Sequence, residues 1–133
     1  YIHRFHNTEF EIRSNLDAVS HATCAMAIDL GAKCIVVSSM SGRTARMVSR
    51  FRCPADIVGM TTTERAWRKL ALSWGVTPVL SEEFNSIDVM FYHALHQAKQ
   101  VCHLQAGDNV VLTGGQINGL PGNTNTIKVE TIR

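Results

Sequence analysis

The segment "SSMSGRTARMVSRF" (residues 38–51) combines residue types that are suited to binding an anion. Its short hydroxyl donors are Ser39, Ser41 and Thr44. Gly42 permits a tight backbone turn, and a helix beginning after it would present unpaired N–H groups and the positive end of its dipole. Arg43 could then hold an anion through two parallel hydrogen bonds. Two interpretations stay open at this point: a phosphate-binding loop, or an ordinary helix cap with its arginines in water.

Other residues that could carry chemistry are scattered along the chain. His93 and His96 stand three apart on a predicted helix and His103 follows, but no carboxylate or cysteine completes a metal site with them. The four cysteines are far apart in sequence and form no C-x-x-C pair: Cys24, Cys34, Cys53 and Cys102. This usage is typical of buried free thiols in a reducing cytosol. No acid–base or nucleophile pair stands out. We therefore expect no catalytic residue, no metal site and no cofactor in this chain.

Composition favours one soluble domain. The chain has 133 residues, of which 45% are hydrophobic and 18% charged. Its apolar runs are far shorter than the roughly 20 residues that cross a bilayer, and no signal peptide is recognisable, so we expect a cytoplasmic protein without a membrane partner. The chain begins on tyrosine rather than methionine, which suggests a piece of something longer.

Charge is concentrated in the middle of the sequence. The formal net charge is only +2, but residues 40–70 carry seven cations against two acids. Such a balance fits small anions, solvated helix faces or nucleic acid. No recognition helix and no aromatic RNA-binding strand accompanies it, so nucleic acid is not expected as a partner. The segment also lacks the Walker lysine of a nucleotide-hydrolysing P-loop.

Hydrophobic periodicity predicts alternating helices and strands. Helices are predicted at about 17–30, 42–51, 62–74 and 86–101. Strands are predicted at 34–38, 56–61, 76–80, 107–115 and 125–132. Trp67 and Trp74 fall seven apart on the third helix, which we interpret as a packing stripe.

This alternation predicts right-handed βαβ units and a parallel sheet with helices on both faces, a three-layer α/β/α sandwich. The fourth and fifth strands are joined by too short a segment for a crossover helix, so the last strand should run antiparallel. Residues 1–14 are expected to form a lead-in, and residues 15–133 the domain. Ligands of such sheets gather at the carboxyl ends of the strands, where the 38–44 loop lies.

Four segments, in this order and spacing, carry a resemblance to a known family: "SHATCAMAIDLGAKCIVV", "SGRTARMVSRFRCPADIVGMTTTERAWRKLALSWGVTPVL", "GDNVVLTGG" and "NTNTIKV". Together they resemble the C-terminal domain of pyruvate kinase, and the similarity runs from about Asn15 to Ile132. The resemblance implies the same five-stranded sheet with an antiparallel last strand.

The resemblance also implies a role. In this family the C-terminal domain is regulatory and helps to assemble a tetramer, while a separate (β/α)8 barrel transfers phosphate from phosphoenolpyruvate to ADP in glycolysis. Magnesium, potassium and the catalytic lysine belong to that barrel, which this sequence does not contain. The expected partners are the chain's own catalytic domain, further copies of the protein and a phosphorylated effector.

The family's phosphate-binding loop matches six positions: Ser39, Met40, Ser41, Gly42, Arg43 and Thr44. Met40 stands where several members carry lysine. The second effector loop, "GGQINGLPGN" (114–123), replaces a Trp- and Arg-bearing stretch and contains no basic residue. Its candidate effector contacts are Gly115, Gln116, Asn118, Gly119 and Gly122. These departures favour a monophosphate, such as a sugar phosphate or AMP, over a bisphosphate.

Two alternatives remain beside this hypothesis. The chain could be a stand-alone module that senses a phosphorylated metabolite without an attached enzyme. It could also be an assembly domain that binds no effector.

Overall fold

The computed structural model describes residues 15–38, 43–51, 54–82, 87–115 and 124–133. The helices are α1 (Asn15–Leu30), α2 (Arg43–Arg50), α3 (Glu64–Leu70) and α4 (Ile87–Val101). The strands are β1 (Cys34–Ser38), β2 (Asp56–Thr61), β3 (Val76–Leu80), β4 (Asn109–Gly115) and β5 (Thr124–Thr131). The predicted lead-in, residues 1–14, lies outside the described residues.

The five strands form one mixed sheet in the order β3-β2-β1-β4-β5. The pairs β1–β2, β1–β4 and β2–β3 are parallel, whereas β5 runs antiparallel to β4. The predicted α/β fold with an antiparallel last strand is therefore confirmed. Its physical basis is the connection length, since a helix stands between β1 and β2, between β2 and β3 and between β3 and β4, whereas the eight residues 116–123 are too few for a crossover connection.

Side chains of the central strands alternate between two buried clusters, as the pleat of a strand requires. On one face, Ile35 and Val37 of β1 belong to a cluster that includes residues of α1, α2 and α3. On the other face, Cys34 and Val36 of the same strand belong to a cluster built on α4. The sheet is thus covered by three helices on one side and one on the other, which gives the three predicted layers.

The end of α1 illustrates how the sequence positions β1. Gly31 adopts a positive φ of 59°, a conformation that glycine takes without steric cost, and it ends the helix as predicted. The next residue, Ala32, donates its N–H to the carbonyl of Ala27 at 2.8 Å. Lys33 then donates to Asn109 at 3.0 Å, so the chain enters the sheet beside β4 at once.

The third helix is shorter than predicted. It ends at Leu70 rather than near residue 74, and a series of turns over 71–75 leads to β3. These turns are fixed by tertiary bonds: the Ser49 hydroxyl donates to the Trp74 carbonyl at 2.6 Å, and the N–H of Ile57 donates to the Gly75 carbonyl at 3.3 Å. The turns place Trp74 outside the helix, and it is 43% exposed. The interpretation of the two tryptophans as a packing stripe on one helix is therefore wrong.

Glycine is required where β2 passes under two helices. A Cβ atom added to Gly59 would lie 2.8 Å from Leu70 Cδ1 of α3 and 3.3 Å from the Cβ of Ala45 in α2. Both neighbours are buried, so a side chain at position 59 would force the Leu70 side chain to shift and would crowd Ala45.

Candidate functional site

The two loops that the sequence singles out leave the sheet side by side. β1 ends at Ser38 and β4 ends at Gly115, and these strands pair in parallel with Val37 opposite Thr113. Because parallel strands end at the same edge, the segments 39–42 and 116–123 both start from the carboxyl edge of the sheet. The predicted phosphate loop and the predicted effector loop are thus anchored on adjacent strands.

The anchors of the two loops approach closely. A Cβ atom on Gly114 would lie 3.6 Å from the Cβ of Ser38 and 3.1 Å from Met90 Sδ of α4. The Cβ of Ser38 would be at ordinary contact distance, so a side chain at position 114 would conflict mainly with the side chain of Met90. The ends of β1 and β4, from which the two loops start, lie next to each other in the sheet.

This edge is also where the strand order reverses. From β1 the chain moves outward through β2 to β3, and it then returns to place β4 on the other side of β1. The helix that follows β1 packs on one face of the sheet, and the helix that precedes β4 packs on the opposite face. In α/β sheets of this kind, ligands bind outside the carboxyl ends of the strands at such a reversal.

The helix α2 begins directly after the predicted phosphate loop. Its apolar side is fixed by Ala45 and Val48, which are 1% and 0% exposed and pack in the cluster below. Because α2 begins only five positions after the end of β1, its first turn lies at the same edge of the sheet as the loop. The first N–H groups of an α-helix have no partner within the helix and favour an anion there. Arg46, the residue after Ala45, is exposed on the outer side of α2.

The predicted site residues divide into two groups. The backbone of Arg43 and Thr44 forms the first turn of α2, and Gly115 ends β4. The side chains of Arg43 and Thr44 are not among the parts that the structure describes. Eight further predicted residues lie wholly outside the described ranges: Ser39, Met40, Ser41, Gly42, Gln116, Asn118, Gly119 and Gly122. The contacts proposed for these residues stay predictions.

Two cysteines that are far apart in sequence meet in the structure. The Sγ atoms of Cys34 and Cys102 lie 3.0 Å apart and share a hydrogen bond. Cys34 is 0% exposed, whereas Cys102 is half-buried. Cys24, Cys34 and Cys102 are all thiols outside a disulfide, as predicted. The predicted burial is confirmed for Cys24 and Cys34, whereas Cys102 is only half-buried, and Cys53 falls outside the described residues.

The contact between Cys34 and Cys102 was not predicted from the sequence, because the two residues are 68 positions apart and only the fold brings them together. Cys34 opens β1, and Cys102 follows the last residue of α4. A crossover helix runs antiparallel to its strands, so the carboxyl end of α4 returns to the amino edge of the sheet, where β1 begins. The predicted order of helices and strands therefore already implied that Cys102 lies near Cys34.

The histidines do not come together with other ligands in the described part of the chain. His93 and His96 are exposed on α4, and the His96 ring lies 3.1 Å from the side-chain nitrogen of Gln100. Within the ranges that the structure describes, no group of three or more histidine, cysteine, aspartate or glutamate residues is arranged to hold a metal ion. The helices of these ranges also include none that is both long and apolar enough to cross a membrane.

A shallow cavity lies at the opposite, amino edge of the sheet. It is lined by the end of α1, by residues that precede β1 and β2, including Lys33, and by Asp56, the first residue of β2. It shares no lining residue with the two predicted loops.

Comparison with known proteins adds an independent observation. The family model described as "Pyruvate kinase, alpha/beta domain" matches residues 17–130. Among curated relatives, the pyruvate kinase of Clostridium acetobutylicum is 37% identical over 122 residues, covering 92% of this chain and 26% of the relative. The pyruvate kinase of Lactobacillus delbrueckii subsp. bulgaricus is 35% identical over 124 residues, covering 93% of this chain and 21% of the relative.

A third relative is similar to the chain over nearly the same share of its length. The pyruvate kinase of Staphylococcus epidermidis is 32% identical over 119 residues, covering 90% of this chain and 20% of the relative. The chain thus spans between a fifth and about a quarter of the length of the curated relatives it matches. With a match over residues 17–130 and the fold described above, the chain belongs to the family of the pyruvate kinase alpha/beta domain.

Proposed function

We propose that this chain is the regulatory and assembly domain of a pyruvate kinase, and that it binds a phosphorylated effector between the 39–42 and 116–123 loops. The observation that supports this proposal best is the common origin of the two loops. They start from adjacent parallel strands, at the edge where the strand order reverses and beside the first turn of α2.

The site chemistry follows from the residue types. The phosphate lies at the start of α2, where backbone N–H groups and the helix dipole favour an anion. Hydroxyls of Ser39, Ser41 and Thr44 donate further hydrogen bonds, and Arg43 supplies the charge. Because position 40 is methionine and the 114–123 loop contains no basic residue, the site neutralises one phosphate rather than two. The effector is accordingly a sugar monophosphate or AMP.

Regulation follows from the anchoring of both loops. An effector that contacts both would fix their positions relative to each other and change the packing of this domain against the catalytic domain and against other copies. A coupling free energy of about 1–3 kcal/mol is enough to change substrate affinity 5- to 150-fold. In the complete enzyme the reaction is phosphoryl transfer from phosphoenolpyruvate to ADP, with magnesium and potassium held by the catalytic domain.

Calorimetric titration tests the effector site. Ribose 5-phosphate, AMP and fructose 1,6-bisphosphate are titrated into the wild-type chain and into Arg43→Ala. A lost charge-assisted hydrogen bond costs about 1.5–3 kcal/mol, so Arg43→Ala should weaken binding roughly 10- to 100-fold. Arg46→Ala is the matched control, since it removes the same charge from the exposed side of the same helix. It should change the Kd less than about threefold.

The outcomes separate the candidate functions. If the wild-type chain binds none of the three ligands, the effector claim fails and assembly remains as the proposed role. If it binds a monophosphate and the upstream reading frame encodes no (β/α)8 barrel, the chain is a stand-alone sensor. We expect the purified chain alone to transfer no phosphate between phosphoenolpyruvate and ADP, and a coupled assay with lactate dehydrogenase measures this.

A further inference from the structure

A pair of thiols at the amino edge of the sheet stands apart from the proposed effector site. Cys34 lies at the start of β1, with Asp56 of β2 and Val110 of β4 as its neighbours in the sheet. Cys102 lies just beyond α4, where its N–H still donates to the Ala98 carbonyl at 2.9 Å. The two sulfur atoms are 3.0 Å apart, about 1 Å more than the length of a disulfide bond.

The two sulfurs differ in access and in acidity. Cys34 is fully buried, whereas Cys102 is half-buried and so reaches solvent. The hydrogen bond with Cys102, together with burial, raises the pKa of the Cys34 thiol. In the structure Cys102 Sγ is the donor and Cys34 Sγ the acceptor. When Cys102 ionises, the Cys34 S–H becomes the donor to the thiolate, and this hydrogen bond lowers the pKa of Cys102 against the opposing effects of burial and of the Asp56 charge. Cys102 is therefore the sulfur that ionises first and the one that a solute reaches.

We propose that Cys34 and Cys102 form a hydroperoxide-reactive thiol pair, with Cys102 as the attacking sulfur and Cys34 as the resolving sulfur of an intramolecular disulfide. The proposal rests on the placement of one reachable and one buried sulfur at contact distance, on two different elements whose cysteines pack in the same hydrophobic cluster. Redox-sensing cysteines characteristically combine an accessible thiolate with a neighbouring resolving thiol.

The chemistry balances with hydrogen peroxide as the oxidant. The Cys102 thiolate attacks one peroxide oxygen, the O–O bond breaks, and the second oxygen leaves as water after taking a proton. Cys102 is then a sulfenic acid. The Cys34 sulfur attacks the Cys102 sulfur, the S–S bond forms, the S–O bond breaks, and the hydroxide leaves as water with the Cys34 proton. Two thiols are oxidised by two electrons and one peroxide is reduced to two waters; a dithiol reverses the bond.

The disulfide would change the stability of the domain. It would join the start of β1 to the end of α4, two points separated by 68 positions in the chain. Closing so long a loop restricts the unfolded chain, and the expected rise in Tm is roughly 10 °C. The wild-type protein should lose this rise when it is treated with dithiothreitol, and Cys102→Ser should never show it.

Peptide mapping tests the pairing directly, because each cysteine lies on a different tryptic peptide. Cys34 lies on 34–43, Cys102 on 100–128, Cys24 on 14–33 and Cys53 on 53–65. The folded protein is treated with hydrogen peroxide, the remaining thiols are alkylated, and the digest is analysed by mass spectrometry. We expect a linked species of 34–43 and 100–128 that lacks two hydrogens and disappears on reduction. Unlinked oxidation products of Cys102, a different linkage, or full alkylation of both thiols would overturn the proposal.

Variants assign the order of attack. In Cys34→Ser, dimedone should trap a sulfenic acid at Cys102, whereas in Cys102→Ser it should not label Cys34. Cys34→Ala serves as a second form of the first variant, should the buried serine prevent folding. Cys24→Ala is the matched control, because Cys24 is equally buried but lies in the cluster on the other face of the sheet. Cys24→Ala should retain the 34–102 linkage. Dimedone labelling of Cys34 in Cys102→Ser, with no labelling of Cys102 in Cys34→Ser, would contradict the assigned order of attack.

Discussion

Ser20 is a fully buried residue of α1 whose hydroxyl has no hydrogen-bond partner among the described residues. A buried hydroxyl without a partner costs about 1–3 kcal/mol, and serine is also a weaker helix former than alanine. We expect Ser20→Ala to raise the free energy of unfolding by about 1 kcal/mol. Urea denaturation followed by circular dichroism measures the change.

Thr23, one turn further along α1, provides the contrast. Its hydroxyl donates to the Val19 carbonyl at 2.7 Å, so Thr23→Ala removes a satisfied bond and a buried methyl group. This variant should lose about 1–2 kcal/mol in the same assay. If Ser20→Ala also destabilises the chain, the hydroxyl of Ser20 has a partner in a segment outside the described residues.

Single residues were predictable where local chemistry decides their role. Gly31 ends α1 because glycine takes positive φ without steric cost, and this follows from the sequence alone. The contact of Cys34 with Cys102 was not predicted, because it depends on where a helix of 15 residues returns to the sheet. The contacts of Arg43 and Met40 with an effector stay predictions, since the side chain of the first and the whole of the second lie outside the described residues.

At the scale of secondary structure elements, the N-terminus of α3 offers a clear test. Thr63 has an extended backbone, and its hydroxyl accepts the N–H of Ala66 at 3.2 Å. Loss of such a cap costs about 1 kcal/mol, so Thr63→Ala should lower the free energy of unfolding by that amount. Thr63→Ser keeps the accepting oxygen and should remain within about 0.5 kcal/mol of wild type. An equal loss in both variants would show that the methyl group, not the cap, stabilises this turn.

Packing between elements is tested at Gly59. Gly59→Ala places a methyl group against Leu70 of α3 and Ala45 of α2, and overpacking of this kind costs about 1–3 kcal/mol. Leu70→Val removes the Cδ1 atom that the new methyl would meet. We therefore expect Gly59→Ala to cost less in the Leu70→Val background than in wild type, which a double-mutant cycle measures. Additive losses would mean that Leu70 is not the side chain in conflict.

The length of α3 shows where element prediction from sequence stops. The pattern of residues 62–74 is helical, yet the helix ends at Leu70. Bonds to Ser49 and Ile57, which come from other elements, hold the following turns. Local helix propensity is weak, and such tertiary bonds outweigh it. The existence of the helix was therefore predictable from the sequence, but its last residue was not.

At the scale of the whole molecule, the topology was the most predictable feature. Alternating strands and helices dictate parallel pairing, and the segment between β4 and β5 is too short for a crossover helix. The same topology brings the 39–42 and 116–123 loops to one edge, so the position of the proposed effector site follows from the order of the elements. The identity of the effector does not follow, because it depends on side chains of the two loops.

A ligand held between these loops should stabilise the entire domain, because β1 and β4 are neighbouring strands of the sheet and their unfolding disrupts both buried clusters. At a ligand concentration of 100 times the Kd, binding to the folded state alone contributes about 2.7 kcal/mol. For a domain of this size, we expect Tm to rise by roughly 10 °C with the monophosphate that binds. Differential scanning calorimetry measures the rise, and at the same ligand concentration Arg43→Ala should reduce it to a few degrees or less. An undiminished rise in Arg43→Ala would place the ligand elsewhere, with the cavity beside Lys33 and Asp56 as the next position to test.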